Sequence, residues 1–458
     1  MLRSIGLSDA ETARKLALFE RAAEGLRALG ASGAPIRFWV PGRIEFLGKH
    51  TDYAGGRSLL CAIERGFCVL ASPRTDTTLR VCDARTGEVA QGEIHPGTAG
   101  RSGHWSAYPL TVAHRIAANF SAPLAGADVA FASDLPIAAG ISSSSALVVA
   151  TYMVLAAVNG LEAREEFRAA IASRDELAEY LGAVENGLTY RSLAGERGVG
   201  TFGGSEDHTA ILCGRPAALV QYSFCPVRFE RAIPLPADHA FVIASSGVMA
   251  EKTGAALESY NRIATLARAA LQRWQRATGR TDRSLGDVAR FAGGSADPIV
   301  AAIREASIAP GEFDAAPLEE RVRQFAEESE HLIPAAGDAL QHGALDMLAA
   351  TVDRSMRNAV AMLHNQIDET VFLAERVREL GAAAASAFGA GFGGSVWALV
   401  HRDETARVAE QLMAAYRRRF PQHVSAEAFV TSAARCPSVS SLESSRSADR
   451  RFRSTLQC

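Results

Sequence analysis

The chain has 458 residues, of which 48% are hydrophobic and 22% are charged, a balance typical of soluble globular proteins with two or three domains. Its formal net charge of −3 provides no basic field for a nucleic acid or an anionic membrane, and no apolar stretch is long enough to span a bilayer. The seven cysteines include no CxxC pair, so neither a disulfide framework nor a zinc site is supported. The first residues lack the apolar core of a signal peptide, and we therefore expect a cytoplasmic protein.

The first half of the chain predicts a mixture of helices and strands. Ser8, with Glu11 three residues later, resembles a capping box that begins a helix, and we expect the strand after this helix to end at Pro41. The predicted elements, in chain order, are the helix to about Leu29, strands at 36–40, 58–72 and 79–82, a helix at 109–118, a strand at 128–132, helices at 143–159, 165–173 and 175–187, and a strand at 217–222.

The second half opens after three prolines, at 226, 234 and 236, where we place a domain boundary. The elements predicted beyond it are a strand at 241–245, helices from about Glu251, a helix at 368–380, a strand at 395–400, a helix at 404–420 and a strand at 426–431. This order is typical of an α+β fold. We expect an N-terminal lobe at 1–230, a C-terminal lobe at 240–436 and a disordered tail at 437–458, because the tail is rich in Ser and Arg.

Three short segments carry the chemistry of the sequence. The first, PGRIEFLGKHTDYAGG at 41–56, concentrates charged and polar side chains between glycines, and so many polar groups rarely serve a core. The second, LPIAAGISSSSALVV at 135–149, is a small-residue loop that runs into an apolar helix. The third, FGAGFGGSVWALV at 388–400, is a glycine-rich loop that runs into a strand. Together they predict an ATP-dependent small-molecule kinase whose first segment holds a hydroxyl-rich substrate.

The second segment has the composition of a phosphate-binding loop. A helix N-terminus presents unpaired N–H groups and the positive end of the helix dipole, and small residues let phosphate oxygens approach them closely. A helix that needed only a cap would need one serine, whereas this one has four. It is not a Walker A loop, because no Gly-Lys-Ser/Thr follows. The residues expected to bind ATP are Gly140, Ser142, Ser143, Ser144, Ser145 and Ala146.

The three segments, in this order, resemble the three motifs of the GHMP small-molecule kinases. The first, as GRIEFLGKHTDY, also resembles the galactokinase signature, which is roughly G-R-x-N-x-x-G-E-H-x-D-Y. HWSAY at 104–108 and SSGVMAEKTGAALESYN at 245–261 extend the resemblance, which covers the chain from about Arg37 to Thr431. It implies the two-lobed α+β GHMP kinase fold, with an N-terminal lobe like domain 2 of ribosomal protein S5 and a ferredoxin-like C-terminal lobe. It also implies transfer of a phosphoryl group from MgATP to the anomeric hydroxyl of galactose or a galactose-like sugar, in a site between the lobes.

The resemblance implies roles for individual residues. Asp207, in GGSEDH, aligns with the aspartate beside the anomeric hydroxyl, as general base or orienting anion, and Arg43 keeps it ionised and steadies the transferred group. Since a carboxylate beside an arginine is a weak base, alignment and charge stabilisation should matter most. Besides Arg43 and Asp207, the implied sugar contacts are Lys49, His50, Asp52 and Tyr260, the implied Mg²⁺ ligands are Ser144 and Glu185, and the third-motif glycines are Gly389, Gly391, Gly393 and Gly394.

Departures from the family pattern leave alternatives open. Lys49 replaces a glutamate that contacts the far hydroxyl of the sugar in the family, and Glu45 replaces an asparagine. Lys49 would pair with the C6 carboxylate of a uronic acid, point to solvent, or pair with Glu45. The stretch after Glu185 is longer than in galactokinases, so Glu206 is an alternative metal ligand. His208 replaces the customary glutamine, either as an orienting residue or as a polar neighbour.

Other functions are compatible with parts of the sequence. Gly389, Gly391 and Gly394 match the dinucleotide fingerprint, but they come late and lead into a strand instead of a helix. A catalytically silent sensor of galactose and ATP would tend to lose part of the phosphate loop or of the catalytic pair, and both are present. Kinases of non-sugar alcohols usually lack the HTDY segment. The sequence therefore predicts a sugar-1-kinase, with a uronic-acid kinase and the silent sensor as alternatives.

Overall fold

A computed structural model describes residues 7, 9–97, 104–136, 139–249, 254–308, 310–434 and 436–440, with the backbone alone at 254–256 and 438–440. The strands are β1 Ile36–Leu47, β2 Arg57–Pro73, β3 Thr78–Asp83, β4 Val89–Glu93, β5 Ala127–Ser133, β6 Ala218–Ser223, β7 Arg228–Pro234, β8 His239–Ser245, β9 Ala384–Phe388, β10 Ser395–His401, β11 Glu427–Thr431, β12 Ala433–Ala434 and β13 Ser438–Ser440. The helices are α1 Asp9–Ala28, α2 Ala107–Asn119, α3 Ser143–Asn159, α4 Glu165–Ala170, α5 Arg174–Asn186, α6 Glu206–Cys213, α7 Gly254–Thr278, α8 Leu285–Phe291, α9 Asp297–Glu305, α10 Ala315–Ala326, α11 Ile333–Gln341, α12 Leu345–Asn358, α13 Asp368–Glu379 and α14 Thr405–Arg419.

The larger sheet is built around the long strand β2. Its strand order is β13-β1-β2-β5-β3-β4. In addition, β6 and β12 pair with the N-terminal half of β2, and β7 pairs with β6. Successive side chains of β2 point to opposite faces of the sheet. Cys68 and Leu70 pack with α1, whereas Phe67 and Val69 belong to the core that includes α3. The sheet therefore lies between α1 on one face and the helix that begins at the predicted phosphate loop on the other.

The smaller sheet has the order β11-β8-β10-β9, with every pair antiparallel. One of its faces packs against α13 and α14 through Leu373, Val377, Val408 and Leu412. Its opposite face joins the core of the larger sheet, where the Trp397 ring stacks on the Phe46 ring with centroids 4.0 Å apart. Trp397 Nε1 also donates a hydrogen bond to Phe46 O. The two sheets thus share one apolar core, which fixes the position of the loops between them.

Most of the predicted elements are confirmed to within a few residues, but one boundary is wrong. The first strand does not end at Pro41; it continues to Leu47 through an irregularity in its pairing with β2 between Pro41 and Arg43. A proline is tolerated inside a strand at such a bulge because no ladder hydrogen bond is lost there. The continuation matters, because it carries Arg43 and Glu45 on the same strand that forms the core.

Six described elements were not predicted: the strands β4, β7, β9, β12 and β13, and the short helix α6. The disorder predicted for the tail does not hold at β13, since Ser440 pairs with Arg37 on the edge of the larger sheet. The remainder of the tail, together with Ser8 and Glu251, lies outside the described residues. Among the helices that the structure describes, none combines the length and apolar character needed to cross a membrane.

Candidate active site

A cavity of about 440 Å³ lies where the first segment, the phosphate loop and the third-motif loop meet. Residues from the larger sheet, from the helices α2, α3, α5, α6 and α7, and from the loop after β9 contribute to it. The predicted site residues that line it are Arg43, His50, Asp52, Gly140, Ser142, Ser143, Ser144, Ser145, Glu185, Asp207, Tyr260 and Gly389. Segments that are far apart in the chain are therefore brought to one place, as the sequence predicts.

Arg43 and Asp207 form the centre of the cavity, although 164 positions separate them in the chain. Arg43 Nε donates to Asp207 Oδ1 at 2.7 Å, and Arg43 Nη1 donates to Gly140 O at 2.6 Å. Burial alone would lower the pKa of Arg43, but the carboxylates of Asp207, Glu45 and Glu206 raise it above its ordinary value. Asp207 lies in the first turn of α6, where the helix dipole favours a negative charge. The guanidinium is thus permanently charged and joins Asp207 to the loop that precedes α3.

One end of the cavity contains His50, Asp52 and Tyr260, the residues predicted to contact a sugar. Asp52 Oδ2 accepts a hydrogen bond from Glu206 N at 3.0 Å, which fixes the carboxylate beside the first turn of α6. His50 Nε2 lies 3.1 Å from Ala390 O, and His50 Nδ1 lies 3.0 Å from Tyr53 Oη. A neutral imidazole that donates from Nε2 and accepts at Nδ1 satisfies both contacts. The ring of His50 therefore ties the first segment to the third-motif loop as well as lining the cavity.

The phosphate loop has the geometry of an anion site at the N-terminus of a long helix. α3 has 17 residues, and Ser142 before it adopts a left-handed conformation with φ of 54°. Ser142 Oγ is buried and has no hydrogen-bond partner within the described part of the chain. An unsatisfied buried hydroxyl at a helix N-terminus fits a phosphate oxygen as its partner. Ala146, by contrast, is not among the residues that line the cavity; its side chain packs into the core, and its backbone lies in the first turn of α3, where its contact with ATP stays a prediction.

Ser144 and Glu185, the predicted metal ligands, both line the cavity, and so does Ser145. Ser145 Oγ lies 2.9 Å from Glu185 Oε2 and 3.3 Å from Asp207 Oδ2, so its hydroxyl is a further candidate beside Glu185. Glu206, the alternative ligand, also lines the cavity, and its Oε2 accepts a hydrogen bond from Ser58 Oγ at 2.7 Å. His208 Nε2 lies 3.1 Å from Glu185 Oε2, which places it as an orienting neighbour.

A hydroxyl and one carboxylate form a donor set that suits Mg²⁺, an ion that usually keeps several waters and bridges substrate phosphates. Across the residues that the structure describes, no group of three or more His, Cys, Asp or Glu is arranged to hold a metal ion by itself. The residues present therefore fit Mg²⁺ that arrives with a nucleotide, and do not fit a resident metal.

The third-motif loop contributes one glycine to the cavity and uses the others to hold itself in place. Gly389 lines the cavity, and a Cβ there would lie 3.0 Å from Gly140 O of the phosphate loop. Gly391 packs against Asn365, while Gly393 and Gly394 pack against and bond with Val248. Positive φ angles at all four positions explain the glycines. Gly389 of this motif therefore lies against the loop before α3 and lines the cavity, while Gly391, Gly393 and Gly394 hold their own loop in place.

Lys49, predicted to contact the sugar, is not among the described residues that line the cavity. Its side chain is 1% exposed, and Nζ donates to Ser386 Oγ at 2.8 Å and to Ser355 Oγ at 3.3 Å. Its positive charge opposes the burial that raises the pKa of Glu45 to about 7. In this structure Lys49 is therefore held by two serines and acts on Glu45 through its charge, and its contact with the sugar stays a prediction.

Sequence reasoning assigned no role to the aromatic end of the cavity. Trp105, Tyr108, Phe67 and Phe131 line it, and the Trp105 and Phe131 rings meet edge to face at 5.7 Å. Trp105 Nε1 donates to Glu88 Oε2 at 2.9 Å, which holds the indole in place. The HWSAY segment could have indicated an aromatic wall in the cavity, because it places Trp105 just before α2 and Tyr108 in its first turn. A flat aromatic pocket beside a phosphate loop suits a nucleotide base.

Comparisons with known proteins identify the family. Residues 27–73 match the galactokinase galactose-binding signature, and residues 107–191 match the N-terminal domain of GHMP kinases. The chain is 30% identical to galactokinase from Roseiflexus sp. (strain RS-1) over 385 residues, which cover 82% of this chain and 86% of that protein. It is 30% identical to galactokinase from Mycobacterium tuberculosis (strain ATCC 25618 / H37Rv), with 82% and 92% covered.

Solved structures show the same fold. Galactokinase from Lactococcus lactis in complex with galactose superposes with a TM-score of 0.73 at 22% identity, covering 91% of this chain and 98% of that one. Mevalonate kinase from L. major superposes less closely, with a TM-score of 0.51 at 15% identity over 89% of this chain and 97% of that one. Two family models match parts of the chain, and a galactokinase that is 30% identical matches it over most of the length of both proteins. The chain therefore belongs to the galactokinase family of GHMP kinases.

Proposed function

We propose that the protein transfers the γ-phosphoryl group of MgATP to the anomeric hydroxyl of D-galactose. The observation that carries this proposal is the ion pair between Arg43 and Asp207, which stands between a sugar-binding segment and a phosphate loop in one cavity. Phosphoryl transfer needs alignment of the two substrates and stabilisation of charge more than covalent chemistry from the protein. This site offers both.

Asp207 is the residue that would meet the acceptor hydroxyl. Its Oδ1 is fixed by Arg43 and its Oδ2 lies 3.3 Å from Ser145 Oγ, so the carboxylate is held in one orientation. In that position it accepts a hydrogen bond from the anomeric hydroxyl and directs the oxygen towards the γ-phosphorus. Because Arg43 stabilises the carboxylate form, orientation of the hydroxyl contributes more than early proton removal.

Arg43 and the phosphate loop would stabilise the charge that spreads over the transferred group. The guanidinium stays charged throughout and requires no reorganisation during the reaction. Ser142 Oγ and the N-terminus of α3 supply hydrogen-bond donors for the phosphates. Mg²⁺ beside Ser145 and Glu185 would neutralise part of the phosphate charge. The aromatic end around Trp105 would hold the base of the nucleotide.

The test is ADP release from the purified protein with MgATP and D-galactose, D-galacturonate or no sugar. The proposal predicts release that depends on galactose, with galacturonate turned over at least about 100-fold more slowly, because a buried carboxylate would find no cation to pair with. Release with galacturonate alone would contradict the choice of sugar. Galactose binding without ADP release, seen as a ligand-dependent rise in melting temperature, would instead indicate the silent sensor.

A further inference from the structure

Glu45 is a buried carboxylate in the cavity that the proposed reaction does not yet use. It lies two residues after Arg43 on β1, so both side chains emerge on the same face of the strand. It lines the cavity and is only 4% exposed. Its Oε2 accepts a hydrogen bond from Gly389 N at 3.2 Å, but its Oε1, although buried, has no hydrogen-bond partner among the described residues.

Neither of the two neighbouring cations satisfies this oxygen. Arg43 is engaged by Asp207 and Gly140 O, and the Lys49 ammonium is held by Ser355 and Ser386. The charges of both cations lower the pKa of Glu45, and neither cation donates a hydrogen bond to its Oε1. An unpaired oxygen of a buried carboxylate is unfavourable unless a ligand completes its hydrogen bonding.

The neighbouring acids increase this cost. Glu328 lies near enough to raise the pKa of Glu45 further, and the Glu206 carboxyl lies within hydrogen-bonding reach when one of the two acids is protonated. Burial and the nearby acids raise the pKa of Glu206 well above its ordinary value, so Glu206 is the better holder of that proton. A carboxylate has about four acceptor positions, so a proton shared with Glu206 still leaves Glu45 able to accept from the cavity side.

The position of Glu45 is also a departure of this chain from the galactokinase signature, which has an asparagine there and a glutamate where this chain has Lys49. Relative to that signature, this chain has the acidic residue at position 45 and a basic residue at position 49. Since Lys49 is buried beside β9 and Glu45 is in the cavity, the exchange keeps one acidic acceptor in the site and places a counter-charge behind it.

We propose that Glu45 is a specificity-determining residue whose Oε1 accepts a hydrogen bond from one hydroxyl group of the sugar, with Lys49 as its buried counter-charge. This inference rests on the proposed function, because it names the contact by which that site reads its substrate. A sugar that lacks this hydroxyl leaves the buried carboxylate unpaired, and sites built in this way discriminate strongly against such analogues. The structure does not require Glu45 for the transfer step itself.

The experiment compares kcat/KM for D-galactose and its 2-, 3-, 4- and 6-deoxy derivatives in the wild type and in Glu45→Met. The wild type is expected to lose about 100-fold or more with the deoxy sugar that lacks the partner hydroxyl. In Glu45→Met that particular loss should shrink at least about 10-fold, while the losses with the other deoxy sugars stay as they are. Glu45→Gln, which keeps an acceptor oxygen and the side-chain length, should restore part of the discrimination.

Glu328→Met is the matched control. Glu328 is also a fully buried carboxylate with an oxygen lacking a partner among the described residues, but it does not line the cavity. Its removal should alter stability while leaving the pattern of deoxy-sugar losses unchanged. If Glu45→Met does not fold, as judged by its melting curve, Glu45→Gln carries the test, with the same single discrimination reduced.

The outcomes separate the inference from the proposed function. An equal effect of the Glu45 variants on all five sugars, or no effect on any, would overturn the inference while galactose turnover by the wild type leaves the proposed function standing. Absence of sugar-dependent ADP release from the wild type would overturn the proposed function and this inference together.

Discussion

At the scale of single residues, the site depends on a few buried charges whose partners come from distant parts of the chain. Arg43 follows a bulge in β1, Asp207 begins a short helix, and each restrains the other. Lys49 shows that the same segment also contains residues that serve the interior. Charge type alone does not distinguish the two roles, because both Arg43 and Lys49 are buried cations on the first segment.

Asp207→Asn should lower kcat at least about 1,000-fold, because the amide cannot take the charge that orients the acceptor hydroxyl beside Arg43. Binding of ATP should change less than about threefold, since Asp207 is not expected to contact the base. Steady-state kinetics and calorimetric titration with a non-hydrolysable ATP analogue measure the two quantities. Asp338→Asn, which removes an exposed partner of Arg231, is the control. More than a tenth of the wild-type kcat in Asp207→Asn would contradict the assignment.

The buried acid Glu45 predicts a pH-dependent stability. Burial raises its pKa from 4.5 to about 7, so the folded protein binds this proton more tightly than the unfolded chain does. Its contribution to the free energy of unfolding is therefore greatest below the unfolded pKa and falls as the pH rises towards 7. Relative to the wild type, Glu45→Gln should gain about 1–3 kcal/mol between about pH 5 and about pH 8. Urea unfolding at both pH values measures this; an equal difference at the two would count against a raised pKa.

At the scale of elements, the phosphate loop and the third-motif loop support each other through their backbones. Ser395 Oγ donates to Ala139 O, and Arg43 Nη1 donates to Gly140 O, so β10, β1 and the loop before α3 meet at adjacent carbonyls. Gly389 is placed in this contact at a positive φ. This backbone packing explains why the glycines of the third motif are needed so far from the loop in sequence.

Gly389→Ala should lower kcat/KM about 10-fold or more, because its Cβ would press on Gly140 O, and should destabilise the protein by about 1–2 kcal/mol through its positive φ. Gly279→Ala isolates the second effect, since Gly279 has a similar φ of 71° but no neighbour within 4 Å of a new Cβ. It should lose similar stability and keep its activity. Kinetics and thermal melts on both variants decide the matter; equal activity in the two would show that the contact between the loops is not required.

The sequence predicts the long elements well, because burial and periodicity are clear in them. β2 and α3 are long and mostly apolar, and their bounds are predicted to within a residue or so. α6 was missed because its eight residues, EDHTAILC, are too few to show a helical period. The contact of Ser145 with Glu185 depends on the rotation of α3, and the contact of Lys49 with Ser386 depends on the packing of distant strands. The local sequence contains neither.

At the scale of the whole molecule, the two proposed lobes, 1–230 and 240–436, share one apolar core. Phe46 from the larger sheet and Trp397 and Phe241 from the smaller sheet pack ring to ring at this junction. A cavity whose walls come from both lobes is therefore held by a rigid junction. Elements of the second lobe also return to the first, since β12 and β13 pair with strands of the larger sheet.

This shared core predicts a single unfolding transition. Differential scanning calorimetry should show one peak whose calorimetric and van't Hoff enthalpies agree. MgATP and galactose together should raise the melting temperature more than either alone, because both bind only the folded cavity. Two separate transitions, with only one of them shifted by the ligands, would show that the lobes unfold independently.

The central claim is tested most directly by identifying the product of the reaction. Phosphorus and proton NMR of a mixture of the purified protein, MgATP and D-galactose should show a new phosphate ester coupled to the anomeric proton, in an amount equal to the ADP formed. A phosphate on any other carbon, or ADP without a sugar phosphate, would contradict the account of Asp207 beside the anomeric hydroxyl.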